Sequence, residues 1–300
     1  VLDVVSGSYD PGDLYLLRGL GKGAYAPAHS MLDRAGVPLA HHPVELARFR
    51  SMPKDRQDDD DAIQLRIASF GSWPAVVDWD GDGDLDLLIG SFDGSVFRRE
   101  NVGTRTQPQW AEAAIGVAAD GQAIQGNAHA CPAVADWDGD GRWDLLLGWS
   151  DGSVCWFPNL GDGKQPRFGA SRPLVAARSK DKSLTQYVEP GADPTPGVRA
   201  QIAVVDHDGD GKLDLVVGDY SYVVRLRQLA PAERVEFETA RREQAVLQQR
   251  IDAAKDEEGR ATAVAAYKAN EKRLRSFAAD QEQPGRVQSF VWLYRRMPAR

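Results

Sequence analysis

The sequence predicts an all-β chain: a β-propeller of four-stranded antiparallel blades, about four of them represented, interrupted by an inserted antiparallel helical hairpin. Three observations carry this expectation. An acidic phrase recurs at intervals, each copy is followed by the same short run of strand-forming residues, and one late segment switches from strand to helical periodicity. Gly at 29 and Pro at 17 supply the many tight turns such a chain needs.

The first complete copy is Pro74-Ala-Val-Val-Asp-Trp-Asp-Gly-Asp-Gly-Asp-Leu-Asp-Leu-Leu-Ile-Gly90. Pro132 to Gly148 and Ile202 to Gly218 repeat it, and Leu2-Asp3-Val4-Val5-Ser6-Gly7 is the tail of another. Asp3, Asp86, Asp144 and Asp214 are therefore equivalent. Val1 falls inside a motif, so the natural chain is expected to extend upstream. After each motif, Gly12 to Gly21, Gly94 to Gly103 and Gly152 to Gly161 share one plan, each leading to an aromatic segment near Tyr25, Trp110 or Phe168. A unit reads as strand a, an acidic loop, strand b, a hairpin, strand c and strand d. Such short sheets cannot bury both faces alone, and radial stacking solves that.

Two segments break the rhythm. Residues 29–66 read as a loop insertion holding the acidic run Asp58–Asp61, expected to be solvated. Residues 231–283 read as a helical hairpin, with Phe237, Ala240, Gln244, Leu247, Ile251 and Ala254 at coiled-coil steps. Val264, Tyr267, Glu271, Leu274 and Ala278 continue that stepping after a break near Gly259, and Val235, Val246 and Phe277 fall off the seam. Strand chemistry returns at Val287 to Tyr294 and resembles strand c. The expected division is thus blades over 1–230, the hairpin over 231–283, and a closing strand with a tail over 284–300.

The acidic loops carry the clearest chemistry. Asp78, Asp80, Asp82 and Asp86 stand at loop positions 1, 3, 5 and 9, as do Asp136, Asp138, Asp140 and Asp144, and Asp206, Asp208, Asp210 and Asp214. Four carboxylates within nine residues repel one another unless a hard cation sits among them, and oxygen ligands at alternating positions suit Ca²⁺. Position 7, held by Asp84, Arg142 or Lys212, would offer a backbone carbonyl. An EF-hand is excluded, because position 12 is Ile89, Leu147 or Val217 and a strand follows. The competing reading is a solvated acidic turn. The sequence accordingly predicts about three Ca²⁺ sites.

These residues resemble the FG-GAP/VCBS-type calcium-binding repeats of β-propellers, including integrin-like ones, over residues 1–228 and 286–296. The resemblance implies Ca²⁺ between strands a and b of each blade, and export from the cytoplasm to a periplasmic, secreted or cell-surface location. Residue by residue, it implies the twelve aspartates above as ligands, with Asp3 a partial match. The helical insertion departs from the plain repeat pattern.

Other signals weigh less. Gly148-Trp-Ser150-Asp-Gly152 fits a nucleophile elbow, yet the equivalent Gly90-Ser-Phe-Asp-Gly94 leads into a strand, so it reads as a hairpin turn. His41 and His42, near the acidic run, read as a solvated loop pair, with metal binding as the alternative. Trp79, Trp137, Trp143, Trp149 and Trp156 read as packing between blades, with sugar stacking as the alternative. Cys131 and Cys155 lie on strands separated by strand b and read as two buried free thiols.

Acidic residues number 44 against 36 basic, a net charge of −8, which argues against a nucleic-acid partner. No apolar run is long enough to span a membrane. Two functions remain: an extracytoplasmic protein-interaction scaffold or accessory subunit within a larger assembly, contacting its partner through residues 231–283, or a carbohydrate-binding or polysaccharide-cleaving propeller. The second would need a convergent base beside a substrate groove, and the sequence assembles none.

Overall fold

A continuous apolar run ending in glycine recurs in strand b of each repeat: Leu87 to Gly90, Leu145 to Gly148 and Leu215 to Gly218. In a computed structural model, residues 1–57, 59–68, 70–162, 164–178 and 184–296 are described. Asp58 of the acidic run and positions 297–300 of the tail lie outside them. The chain is mostly β, built from several small antiparallel sheets. It divides into two units: Val1–Ala177 with Val198–Asp219 and Val291–Arg300, and Arg178–Gly197 with Tyr220–Phe290.

Among the described residues, the first unit holds four sheets of three or more strands, beside two two-stranded hairpins at residues 19–25 and 118–123. The first is β1 (Val4–Gly7), β2 (Leu14–Leu17) and β3 (His29–Ser30), in that spatial order. The second runs β4 (Ser72–Val77), β5 (Asp86–Ser91), β6 (Val96–Arg99) and β7 (Ile115–Gly116). The third runs β8 (Cys131–Ala135), β9 (Asp144–Gly148), β10 (Val154–Phe157) and β11 (Arg172–Val175). In the fourth, β13 (Val198–Val205) lies beside β14 (Asp214–Arg225), whose first residues pair antiparallel with β16 (Val291–Tyr294).

Register is shared. Val77 faces Asp86 and Ala135 faces Asp144 across strands a and b. Gly90 faces Val96, Gly148 faces Val154 and Gly218 faces Val291 across strands b and c. β16 thus occupies the strand-c place of the fourth sheet although about seventy residues of sequence separate it from its strand b.

Successive sheets pack face to face, which explains why the three residues after the strand-b aspartate are all apolar. Leu87 and Ile89 join Leu14, Met31 and Leu39 of the preceding unit, whereas Leu88 joins Leu145 and Leu147 of the following one. Leu146 and Val154 in turn meet Ala200, Leu215 and Val217. Backbone bonds stitch the same seam: the amides of Ser72, Ala130 and Ala200 donate to the carbonyls of Ser8, Ser91 and Trp149 at 3.1, 3.0 and 3.0 Å. A Cβ on Gly7, Gly90 or Gly148 would stand 1.8, 2.0 or 2.3 Å from a carbonyl oxygen of the next strand a. Only glycine permits that approach.

The segment read as a loop insertion is partly helical, with α1 (Pro43–Ser51) and α2 (Asp60–Ala68). Asp61 stands in the first turn of α2, where a carboxylate favours the helix dipole. The turn Trp149–Ser153 joins β9 to β10, as the repeat comparison requires. Cys131 and Cys155 are free, and β9 separates their strands; Cys131 is buried, but Cys155 is only half-buried, not buried as expected. Burial pushes the Cys131 thiol up to about 11.

In the second unit, β12 (Thr185–Val188) runs parallel to Tyr222–Arg225, and β15 (Arg286–Gln288) runs antiparallel to Ser221–Val223. Helices α3 (Pro231–Ala253) and α4 (Glu257–Arg275) follow. Arg273 reaches Glu236 at 3.2 Å and Asn270 reaches the Ala240 carbonyl at 2.8 Å, so the helices run antiparallel. Phe237, Ala240 and Leu274 pack with Leu226, Leu229 and Tyr187. Two expectations change here. Phe277 is 3% exposed with its ring 5.5 Å from that of Phe237, so it belongs to the core rather than an outer face. The α4 seam passes through buried Asn270, not Glu271, because the Asn270 amide bonds both Ala240 and, at 2.7 Å, Gln244.

Candidate metal centre

Each acidic loop connects strand a to strand b, and its conformation follows from two glycines. Gly81 and Gly83, Gly139 and Gly141, and Gly209 and Gly211 all have positive φ, between 73° and 94°. A side chain at these places would be strained, which explains the Asp-Gly-Asp-Gly spelling. The amides of Gly139, Asp140 and Gly141 then fold onto the Asp136 carboxylate at 2.9, 3.0 and 2.9 Å. Asp206 receives Gly209, Asp210 and Gly211 at 2.8, 3.1 and 3.0 Å.

This folding brings aspartates 1, 3 and 5 together. One oxygen from each of Asp78, Asp80 and Asp82 lies within 4.8 Å of the others, and the same holds for Asp136, Asp138 and Asp140 and for Asp206, Asp208 and Asp210. The three triplets are positioned to hold a metal ion. The donor set is entirely oxygen, which fits a hard cation. Asp78 Oδ1 is also buried without a hydrogen-bond partner, an orphaned acceptor a cation would satisfy.

The position-9 aspartates lie outside the triplets. Asp86, Asp144 and Asp214 are 2%, 0% and 2% exposed. One oxygen of each accepts the amide of loop position 2, from Trp79, Trp137 or His207, at 3.2, 3.1 and 3.2 Å. The other accepts the amide just beyond strand c, from Asn101, Asn159 or Arg296, at 2.7, 2.7 and 2.8 Å. The four-carboxylate set read from sequence thus resolves into three plus one, and the fourth clasps three strands of its sheet. A carboxylate oxygen keeps a further lone pair, so the clasp is compatible with a metal contact. Burial pushes Asp86 up to about 6, against the Asn101 amide and Arg98, and burial raises Asp144 likewise.

Position 7 differs from loop to loop. Asp84 is buried, and its carboxyl is raised by burial and then by Asp82, Asp80 and Asp78. Arg142 pairs with Asp140 and donates to the Asn159 carbonyl at 2.9 Å, and Lys212 stands 3.7 Å from Asp210. Arg98 approaches Asp80 at 3.3 Å and Asp86 at 3.6 Å, with its guanidinium over the Trp79 ring. Arg295 pairs with Asp208.

Sequence reasoning missed one further pair. Asn101 Oδ1 accepts the amides of Gly103 and Gln109 at 3.0 and 2.9 Å, and Asn159 Oδ1 those of Gly161 and Arg167 at 3.0 and 3.1 Å. These asparagines anchor the turn after strand c. The signal was available: an Asn-x-Gly stands fifteen residues after Asp86 and again after Asp144.

The tryptophans pack. None of the eight is among the exposed large apolar residues. The Trp79 and Trp143 rings lie 5.3 Å apart, and both contact Phe168. His41 is buried, its Nδ1 3.2 Å from Ser72 Oγ, not solvated as expected.

Two overlapping stretches, residues 78–147 and 136–217, match the model of the FG-GAP-like repeat. Each runs from one acidic loop through the next strand b. A search of the curated proteins finds no match to the chain. Among the described residues, no helix is long and apolar enough to cross a membrane.

Proposed function

We propose that this chain is part of a calcium-stabilised β-propeller that works outside the cytoplasm as a protein-interaction scaffold or accessory subunit. The observation that carries the reading is the threefold recurrence of an all-oxygen triplet beside a buried clasp, at the same corner of three stacked sheets. In the first loop, Asp78, Asp80 and Asp82 would hold Ca²⁺, joined by the Asp84 carbonyl and by Asp86. In the second, the ligands would be Asp136, Asp138, Asp140, the Arg142 carbonyl and Asp144. In the third, they would be Asp206, Asp208, Asp210, the Lys212 carbonyl and Asp214. When bound, the ion would supply positive charge that relieves carboxylate repulsion. The protein's own part is to prearrange the loop through its glycines and to clasp it to the sheet.

Scaffolding is favoured over sugar recognition by Trp79, Trp137, Trp143, Trp149 and Trp156, which sit in the apolar clusters between sheets. The helical segment would be the contact element, and Val235 and Val246 on α3, 66% and 47% exposed, are its candidate anchors. Calorimetric titration of the chelator-treated protein tests the metal reading. Uptake of about three Ca²⁺ per chain, with a raised melting temperature, is expected. No uptake at millimolar Ca²⁺ would reject it. Co-purification from the native source tests the scaffold reading: Val235→Asp with Val246→Asp should release a partner and leave metal uptake unchanged.

A further inference from the structure

The three acidic loops share a spelling but not a charge balance. At the first, Asp78, Asp80, Asp82, Asp84 and Asp86 stand within nine residues, and Glu100 lies 3.6 Å from the Arg98 guanidinium. Two cations answer these six carboxylates: Arg98, and Arg105, which donates to the Gly83 carbonyl at 3.3 Å. At the second loop four aspartates meet Arg142 and Arg296, the latter with its guanidinium over the Trp137 ring. At the third, four aspartates meet Lys212 and Arg295. Six carboxylates against two cations leave the first loop at −4, and four against two leave each of the others at −2.

The cations are also placed differently. Lys212 and Arg295 rest on Asp210 and Asp208, so two carboxylates of the third triplet are engaged. In the second triplet one is engaged, Asp140 by Arg142. In the first, Arg98 reaches Asp80 alone and divides its charge with Asp86 and Glu100. It can do so because it stands opposite Leu88 on strand c, a register position held by Trp156 and Leu293 in the next two sheets. The position-1 carboxylates differ in the same sense. Asp136 and Asp206 each accept three amides, whereas Asp78 accepts the Gly83 amide at 3.1 Å and keeps Oδ1 as a buried orphan. Position 7 adds a further carboxyl at the first loop alone: Asp84 is 8% exposed, and among the described residues no basic side chain pairs with it.

We propose that the three loops form a graded set of cation sites, the first filling at the lowest Ca²⁺ concentration and the third at the highest, with Lys212 and Arg295 holding the affinity of the third down. The grading rests on the calcium reading given above. Ligand charge count spreads calcium affinities among loops of one design. A unit charge about 6 Å from a divalent ion changes its affinity about tenfold even at the dielectric of water. The consequence is regulatory. Arg295 ties Asp208 to the residues just after β16, and Arg296 gives its amide to Asp214 at 2.8 Å. The Arg295 tie competes with the ion for one carboxylate, so it persists at Ca²⁺ levels that fill the first two loops and yields only above them. The third loop is thus the one that responds to a rise in Ca²⁺.

The test uses the whole 300-residue chain, treated with chelator and titrated with Ca²⁺ by calorimetry at low ionic strength. Three steps of unequal affinity are expected. Asp80→Ala should remove the tightest step and Asp208→Ala the weakest. Lys212→Gln and Arg295→Gln keep every carboxylate and every backbone carbonyl, and each should tighten the weakest step about tenfold. Lys212→Asp should tighten it about a hundredfold, and Arg295→Lys should return the wild-type value. The side chains of Lys212 and Arg295 are 41% and 60% exposed, so these variants carry the test even where an aspartate variant does not fold. Terbium luminescence excited through tryptophan assigns the steps independently. Trp79 and Trp137 stand at position 2 of the first two loops and His207 at that of the third, so the last ion to bind should add little emission. Three steps of equal affinity, a tightest step that survives Asp80→Ala, or a weakest step that neither Lys212→Gln nor Arg295→Gln moves would overturn the grading and leave the calcium reading standing. No uptake at millimolar Ca²⁺ in any variant would overturn both.

Discussion

Replacing Asp144 by Asn should destabilise the first unit by about 3 kcal/mol even when no divalent ion is present. Asp144 is fully buried, and its two oxygens accept the amides of Trp137 and Asn159 at 3.1 and 2.7 Å. Asn keeps the shape but has a single carbonyl oxygen, so its NH₂ must face one of the two donors. One charge-assisted bond is lost, and a buried N–H is left unsatisfied, a cost of about 3 kcal/mol. In a unit of this size that corresponds to a fall in melting temperature of about 10 °C. The assay is thermal unfolding in chelator and in Ca²⁺, with Asp138→Ala as the comparison. Asp138 belongs to the exposed part of the triplet, so its loss should matter in Ca²⁺ and little in chelator. If Asp144→Asn melts with the wild type in chelator, the clasp is not structural and position 9 acts only through a metal.

Three other outcomes are expected. Asp138→Ala should remove one of the three calcium sites and leave two, read by titration. Phe277→Ala should cost about 4 kcal/mol in chemical denaturation, because its ring is buried against Phe237, whereas Val246→Asp on the exposed face of α3 should change stability by less than about 1 kcal/mol. Burial holds the His129 imidazole down to about 4, below the ~6.5 of an unfolded chain, so the unfolded state takes up the proton first. His129 should therefore cost up to about 3 kcal/mol as pH falls from about 6.5 to about 4, and His129→Asn, which tolerates the φ of 53° there, should flatten that part of the pH–stability profile.

The repeat made much of the fold legible. Equivalence of Asp86, Asp144 and Asp214 aligned strands a and b, and the stretch Val287–Tyr294 was read as one strand c across a long insertion; the structure gives the strand-c place to Val291–Tyr294 alone and pairs Val287 with Tyr222 instead. The turn glycine at loop position 6 and the gathering of aspartates 1, 3 and 5 followed from spacing, whereas the positive φ of the glycine at position 4 did not. What spacing could not reveal was the division of labour among the aspartates. Positions 1, 3, 5 and 9 look alike in sequence, yet only position 9 is buried by three strands, and burial is a property of the stacked sheets. The helices at 43–51 and 60–68 were hidden because short polar segments carry weak periodicity. Phe277 was misplaced because the helical stepping was extended past Arg275, where α4 has already ended.

The two acidic functions also explain why the loop tolerates so much variety at one place and none at another. A triplet near solvent can exchange its counter-charge, and this chain shows several: Arg98 at the first loop, Arg142 at the second, and Lys212 and Arg295 at the third. A clasp accepting two buried amides has no such freedom, since any substitute must offer two acceptors in a space enclosed by strands a, b and c. Asp3 supports this by contrast. With no strand a beside it, its carboxyl is more exposed and turns one oxygen to Arg18, while the Gly19 amide and then Arg18 hold it below the usual carboxylate range. The same residue in the same repeat is thus an ion-pairing surface group or a buried clasp, according to whether a neighbouring strand is in place.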